Sequence, residues 1–130
     1  MCSQVECTEC HTKSNTYDHI LDISLEIRNS NSLDKAFAHF SKIELLNKNN
    51  RFRCSVCEKL VDAKKRMCIA VCPLILTVQL KRFDFTFTNR GDKITKAIEF
   101  GEKLDISRYT LDPESYELYG VLVHSGSTMV

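Results

Sequence analysis

Two Cys-x-x-Cys pairs, Cys7-Thr8-Glu9-Cys10 and Cys54-Ser55-Val56-Cys57, constrain this chain more than any other feature. Each pair presents two thiolates from one tight turn, and four sulfurs complete the tetrahedron that zinc prefers. Full protein coordination leaves no position for water, so the expected ion is structural: one Zn2+ held by Cys7, Cys10, Cys54 and Cys57. The gap between the pairs exceeds the roughly 15–20 residues of a simple zinc ribbon. The metal is therefore expected to pin two hairpin tips that are distant in sequence. A rival reading starts from Cys7-Thr8-Glu9-Cys10-His11, which matches the attachment pattern of c-type haem. That reading needs an export signal and leaves the second pair without a purpose. His11 also stands as a substitute zinc ligand. Cys68 and Cys72, in an apolar strand, read as inert buried thiols, and Cys2, with no helper base nearby, is a poor nucleophile candidate.

Seven cysteines, an odd number without a recognisable secretion signal, point to a reducing compartment, cytoplasmic or nuclear. A length of 130 residues suits about one domain, and 43% hydrophobic content supplies a core. A formal net charge of +1 argues against nucleic acid as partner, because phosphate neutralisation needs many Lys and Arg on one face. The short run Lys64-Lys65-Arg66 reads as solvated hairpin surface. No apolar stretch approaches the roughly 20 residues that span a bilayer, so no membrane is expected.

Along the chain, Leu21-Asp22-Ile23-Ser24-Leu25-Glu26-Ile27 alternates as a half-buried strand does. Ser32 is a good N-cap, and Leu33, Ala36, Phe37 and Phe40 place a short amphipathic helix over residues 33–41. Strands are expected at 67–71 and 74–85, where Leu76, Val78 and Leu80 share one face. Weaker strands follow at 97–100 and 104–106, and a strong one at 116–124. Thr88-Asn89-Arg90-Gly91-Asp92 reads as a turn or loop. The fold class is α+β, mostly antiparallel.

These residues resemble the ubiquitin-specific proteases. Cys7-x-x-Cys10 with Thr16-Tyr17-Asp18 and the strand after it resembles the family's first zinc knuckle, and Arg53-Cys54-x-x-Cys57 the second. The stretch from Pro73 through Gln79-Leu80-Lys81-Arg82-Phe83 resembles the signature palm strand. Lys93-Ile94, Phe100 and Leu104-Asp105-Ile106 continue the match, and Val123-His124-Ser125-Gly126 looks like the strand leading into the histidine box. The resemblance implies the papain-like hand of that family, with zinc-bearing fingers over about residues 1–72, including the helix 33–41. Palm strands and a blocking-loop region would occupy about 73–130. It implies a cysteine deubiquitinase, a hydrolase of the isopeptide bond after ubiquitin's C-terminal glycine, with ubiquitin and ubiquitinated proteins as partners. Gln79, Arg82, Phe83, Phe85, His124, Ser125 and Gly126 would face ubiquitin or its tail. Packing of Phe83, Phe85 and Phe87 in a core competes with that role.

The family's nucleophile sits in an Asn-x-x-x-Cys pattern followed by an aromatic, and Met1-Cys2-Ser3 does not resemble it. Its base belongs to a Gly-His-Tyr motif a few residues beyond the Val-His-Ser-Gly strand, where this chain reads Ser127-Thr128-Met129-Val130. No catalytic residue is assigned here, and His124 is expected to be structural or to touch the tail. The expectation is a fragment, truncated isoform or gene remnant, inactive alone, or a non-catalytic ubiquitin-binding module.

Overall fold

The computed structural model describes residues 1–84 and 92–126. The chain opens with a hairpin, β1 (Cys2–Cys7) and β2 (Lys13–Tyr17), antiparallel from Cys2 opposite Tyr17 to Glu6 opposite Lys13. Neither strand carries apolar alternation. Their place is set by pairing with β7 (Ala63–Cys68), which runs antiparallel to β1 with Cys2 opposite Cys68 and Cys7 opposite Ala63. β4 (Glu44–Leu46) closes the other edge, giving the order β2-β1-β7-β4. On one face Gln4 is buried and bridges strands: its amide donates to Asn15 Oδ1 (3.1 Å), and its carbonyl oxygen accepts from Arg66 Nε (3.1 Å). Burying an amide with its partners supplied avoids the desolvation penalty of an unpaired one.

β3 (Ile23–Glu26) is the alternating strand expected from sequence, with Ile23 and Leu25 buried. Its partner is β8 (Val78–Lys81), and the pair is parallel, Ile23 opposite Val78 and Glu26 opposite Lys81. This departs from the antiparallel ladders elsewhere; a parallel pair needs a long crossover, and residues 27–77, with β4 and β7 among them, supply it. The helix α1 (Leu33–Phe40) begins where Ser32 Oγ accepts from Lys35 N–H (3.3 Å), with Asp34 in the first turn. Its buried face, Ala36 and Phe37, packs on Ile23, Leu25 and Ile27 of the β3 region and on Ile69, Ile98 and Ile106. Phe37 stacks on Tyr109, ring centres 5.4 Å apart. The helix therefore belongs to a core shared with late residues, although it lies in sequence between the two knuckles. The larger core thus draws residues from both sides of residue 72.

β5 (Phe52–Arg53) and β6 (Leu60–Val61) form a second small hairpin. β9 (Phe83–Asp84) pairs with β10 (Asp92–Lys93), and β11 (Lys103–Asp105) with β12 (Ser115–Glu117). The strand expected at 116–124 is realised only over β12, and Tyr119, Leu122 and Val123 are exposed. Strand-like composition needs a partner to become a ladder. The stretch 97–100 contributes one bridge, Glu99 to Ser32, and 74–77 contributes none, Leu74 being fully exposed. Of the turn read at 88–92, residues 88–91 lie outside the described residues and Asp92 opens β10.

Candidate metal centre

Both Cys-x-x-Cys pairs fold into hairpin tips with the same hydrogen-bond pattern. In the tip joining β1 to β2, Cys7 N–H donates to Thr12 O (3.0 Å) and His11 N–H to Cys7 O (3.1 Å). In the tip joining β5 to β6, Cys54 N–H donates to Lys59 O (3.1 Å) and Glu58 N–H to Cys54 O (2.9 Å). Amides also point at sulfur: Glu9 and Cys10 N–H donate to Cys7 Sγ (3.4 Å each), and Cys57 N–H to Cys54 Sγ (3.5 Å). The residue after each second cysteine takes a left-handed backbone, His11 at φ 59° and Glu58 at φ 55°. Glycine usually fills such positions because it has no Cβ to clash.

The tips meet. All four sulfurs lie within 4.8 Å of one another, Cys7 to Cys57 at 3.8 Å and Cys10 to Cys54 at 3.6 Å. Zinc–sulfur bonds of about 2.3 Å in a tetrahedron imply a sulfur–sulfur edge of ~3.8 Å. The donor set and its spacing thus fit a four-coordinate metal, and the four cysteines are free thiols. Thr8 locks the junction, its N–H (3.1 Å) and hydroxyl (2.7 Å) both donating to Asp62 O, while Arg51 Nε pairs with the Asp62 carboxylate at 2.9 Å.

The thiols are electrostatically unequal. Cys10 is lowered to about 6, first by the Thr12 hydroxyl 3.3 Å away and then by the Thr12 backbone. Cys57 is pushed up to about 12, chiefly by its hydrogen bond to Cys10 and then by burial. One thiolate forms readily, and the next is opposed by the first until a cation arrives. His11 stands off the cluster at an exposed position, 3.6 Å from Glu6, so the alternative ligand set is not the one assembled.

The ubiquitin carboxyl-terminal hydrolase family pattern matches residues 1–130. The chain belongs to that family. It is 48% identical over 129 residues to ubiquitin carboxyl-terminal hydrolase 25 of Arabidopsis thaliana, covering 95% of this chain. It is 42% identical over 128 residues to probable ubiquitin carboxyl-terminal hydrolase 16 of Schizosaccharomyces pombe, covering 96%. Among solved structures it is similar to one from the SAGA Ubp8/Sgf11/Sus1/Sgf73 DUB module bound to ubiquitin aldehyde. The TM-score there is 0.83, at 29% identity and 98% coverage. The chain spans only 19% and 28% of the two relatives' lengths and 30% of the solved chain. The ubiquitin-specific protease reading of the knuckles and the palm strand is thereby established at the level of family and fold.

Of the other residues singled out from the sequence, three come together. Phe83 meets the His124 ring edge-on, centres 5.7 Å apart. The carbonyls of His124 (3.1 Å) and Gly126 (2.5 Å) accept from Lys93 Nζ, and Lys93 lies opposite Phe83 in the β9–β10 pair. Arg82 is occupied within the chain, Nη1 donating to Ile94 O (3.0 Å) and Lys96 O (2.9 Å). Gln79 Oε1 accepts from Ser24 Oγ at 2.7 Å, which ties β8 to β3. Ser125 is exposed, and Phe85 and Phe87 lie outside the described residues. Among the described residues no cysteine sulfur is hydrogen-bonded to a histidine. Sequence reasoning missed Thr12, Glu9, Lys59 and Lys93. Their only signal is positional: Thr12 and Lys59 each stand two residues after a knuckle's second cysteine.

Proposed function

We propose that this chain supplies the zinc-bearing fingers and adjoining palm strands of a ubiquitin-specific cysteine protease that removes ubiquitin from proteins. The observation that carries the reading is the convergence of four sulfurs from two hairpin tips, in a chain matched throughout by the hydrolase family. Cys7, Cys10, Cys54 and Cys57 would hold one structural zinc ion, which supplies a cross-link between the tips and no reaction step. The fingers fall within about residues 1–72 and the palm within 73–130, with β3 and α1 packed against the latter. Ubiquitin would lie against the fingers, with Gln79, Arg82, Phe83, Phe85, His124, Ser125 and Gly126 bordering its tail. Arg82 would act there by holding the backbone at Ile94 and Lys96. No side chain here is assigned as nucleophile or base, so the chain alone binds and does not cut. Its place is the cytoplasm or nucleus, where thiols stay reduced. Among the described residues no helix is long and apolar enough to cross a membrane.

Titration of isotope-labelled ubiquitin with the zinc-loaded chain tests this. Localised amide shifts on ubiquitin's sheet face and tail are expected, with no hydrolysis of a ubiquitin–fluorophore substrate. Absence of shifts at high concentration of the folded chain overturns the binding role, and turnover overturns the non-catalytic one.

A further inference from the structure

One ion pair crosses the junction between the two hairpin tips. Lys59 Nζ lies 2.7 Å from Glu9 Oε2. Glu9 sits between Cys7 and Cys10, and its own N–H donates to Cys7 Sγ. Lys59 lies two residues after Cys57, and its carbonyl accepts from Cys54 N–H. Each partner is therefore wired through the backbone to a different sulfur ligand. A zinc tetrathiolate carries a net negative charge, and the equivalent position in the first tip is the neutral Thr12. The cation is on one side only. The four sulfurs come two from each tip, so a motion that parts the tips to free a bound metal also breaks this pair.

We propose that the Glu9–Lys59 ion pair is a clasp that closes the two tips over the metal and slows its release. The proposal rests on the metal reading above, extends it to two residues outside the ligand set, and assigns them a positioning role. Both side chains are about half exposed, 49% and 60%, so the expected effect is kinetic and modest.

The test uses the 130-residue chain loaded with zinc, challenged with excess chromogenic chelator, with the rate of zinc transfer read by absorbance. In buffer of about 50 mM salt, K59M and E9Q should each speed release about two- to fivefold, the range of an exposed pair. K59R should restore the parental rate, because it keeps the charge. In ~1 M salt, where the Debye length is ~3 Å, the differences should shrink toward none. Unchanged release in K59M overturns the clasp. So does slower release in E9Q, which would mean that the ammonium acts on the sulfurs alone. Acceleration that persists undiminished in high salt would assign the effect to packing and also overturn it. Elemental analysis separates the layers: a parental chain without stoichiometric zinc defeats the metal reading itself, whereas zinc held with unchanged variant rates defeats only the clasp.

Discussion

Stripping the metal should unfold one end of the molecule and leave the other folded. The apolar contacts are split between two clusters of different size. The larger joins Ile23, Leu25, Ile27, Ala36, Phe37, Ile69, Ile98 and Ile106. The smaller holds Cys7, Cys54 and Val61, with Phe52, Cys10 and Cys57 half-buried around them. Outside the cysteines, it offers one fully buried Val and part of a Phe, together about 3–4 kcal/mol of apolar burial. A structural zinc site contributes on the order of 10 kcal/mol. At the tips the metal thus stabilises more than apolar burial does, and it plays no part in the other cluster. Hydrogen exchange before and after chelation reads this residue by residue. The amides of Cys7, His11, Cys54 and Glu58, bonded only within their tips, should lose protection on metal removal. Those of Ile23 (to Thr77 O), Ile69 (to Tyr109 O) and Leu111 (to Ile69 O) should keep theirs. Along the β1–β7 ladder, protection should fade from the Cys2–Cys68 end toward the Cys7–Ala63 end. Uniform loss across both clusters, or no change at the tips, would refute the reasoning.

Replacing Phe37 by Ala should cost about 3–5 kcal/mol in urea unfolding, as it empties the centre of the larger cluster and removes the stack on Tyr109. Phe37→Leu should cost clearly less. His11→Gly and Glu58→Gly should each stabilise the zinc-loaded chain by up to about 1 kcal/mol, because relief of the left-handed backbone outweighs glycine's entropy; a loss in either would mean that the side chain matters more than the strain. Zinc affinity, measured by chelator competition, should rise with pH across the neutral range. Cys57, pushed up to about 12, must shed its proton to bind, whereas Cys10, near 6, is already ionised at pH 7. A flat profile between about pH 6 and 8 would contradict this.

The legible parts of the fold are those where burial leaves a period in the sequence. β3 alternates because Ile23 and Leu25 face a core while Glu26 faces water, and α1 carries its buried Ala36 and Phe37 side by side after a capping serine. The β1–β2 hairpin left no such trace. Every residue of β2 is exposed, and β1 mixes buried Gln4 with buried cysteines, so the order there comes from ladder pairing and the tip. Alternation also says nothing about a partner, which is why the parallel match of β3 with β8 was invisible. At 118–123 the opposite failure occurs: strand-forming residues find no ladder among the described residues. For the candidate metal centre, spacing named the four cysteines whose sulfurs meet. The contacts that hold them in place, such as Thr8 on Asp62 O and Lys59 on Glu9, depend on how two distant tips meet.

The parallel pairing of β3 with β8 bears on how the chain is made. Ser24 and Gln79, hydrogen-bonded across that pair, are 55 residues apart, and Tyr109 reaches Asp34 across 75. At a synthesis rate of about 5–20 residues per second, β3 waits roughly 3–11 seconds for its partner, and α1 longer still for Tyr109. During that interval Ile23, Leu25, Ile27 and Phe37 leave the ribosome with little beyond one another to cover them. The two cysteine-bearing tips and the four-stranded sheet are complete before β8 is made. The nascent chain can therefore capture its metal first and build the larger core afterwards, and chaperones that shield short apolar segments have a defined window in which to act.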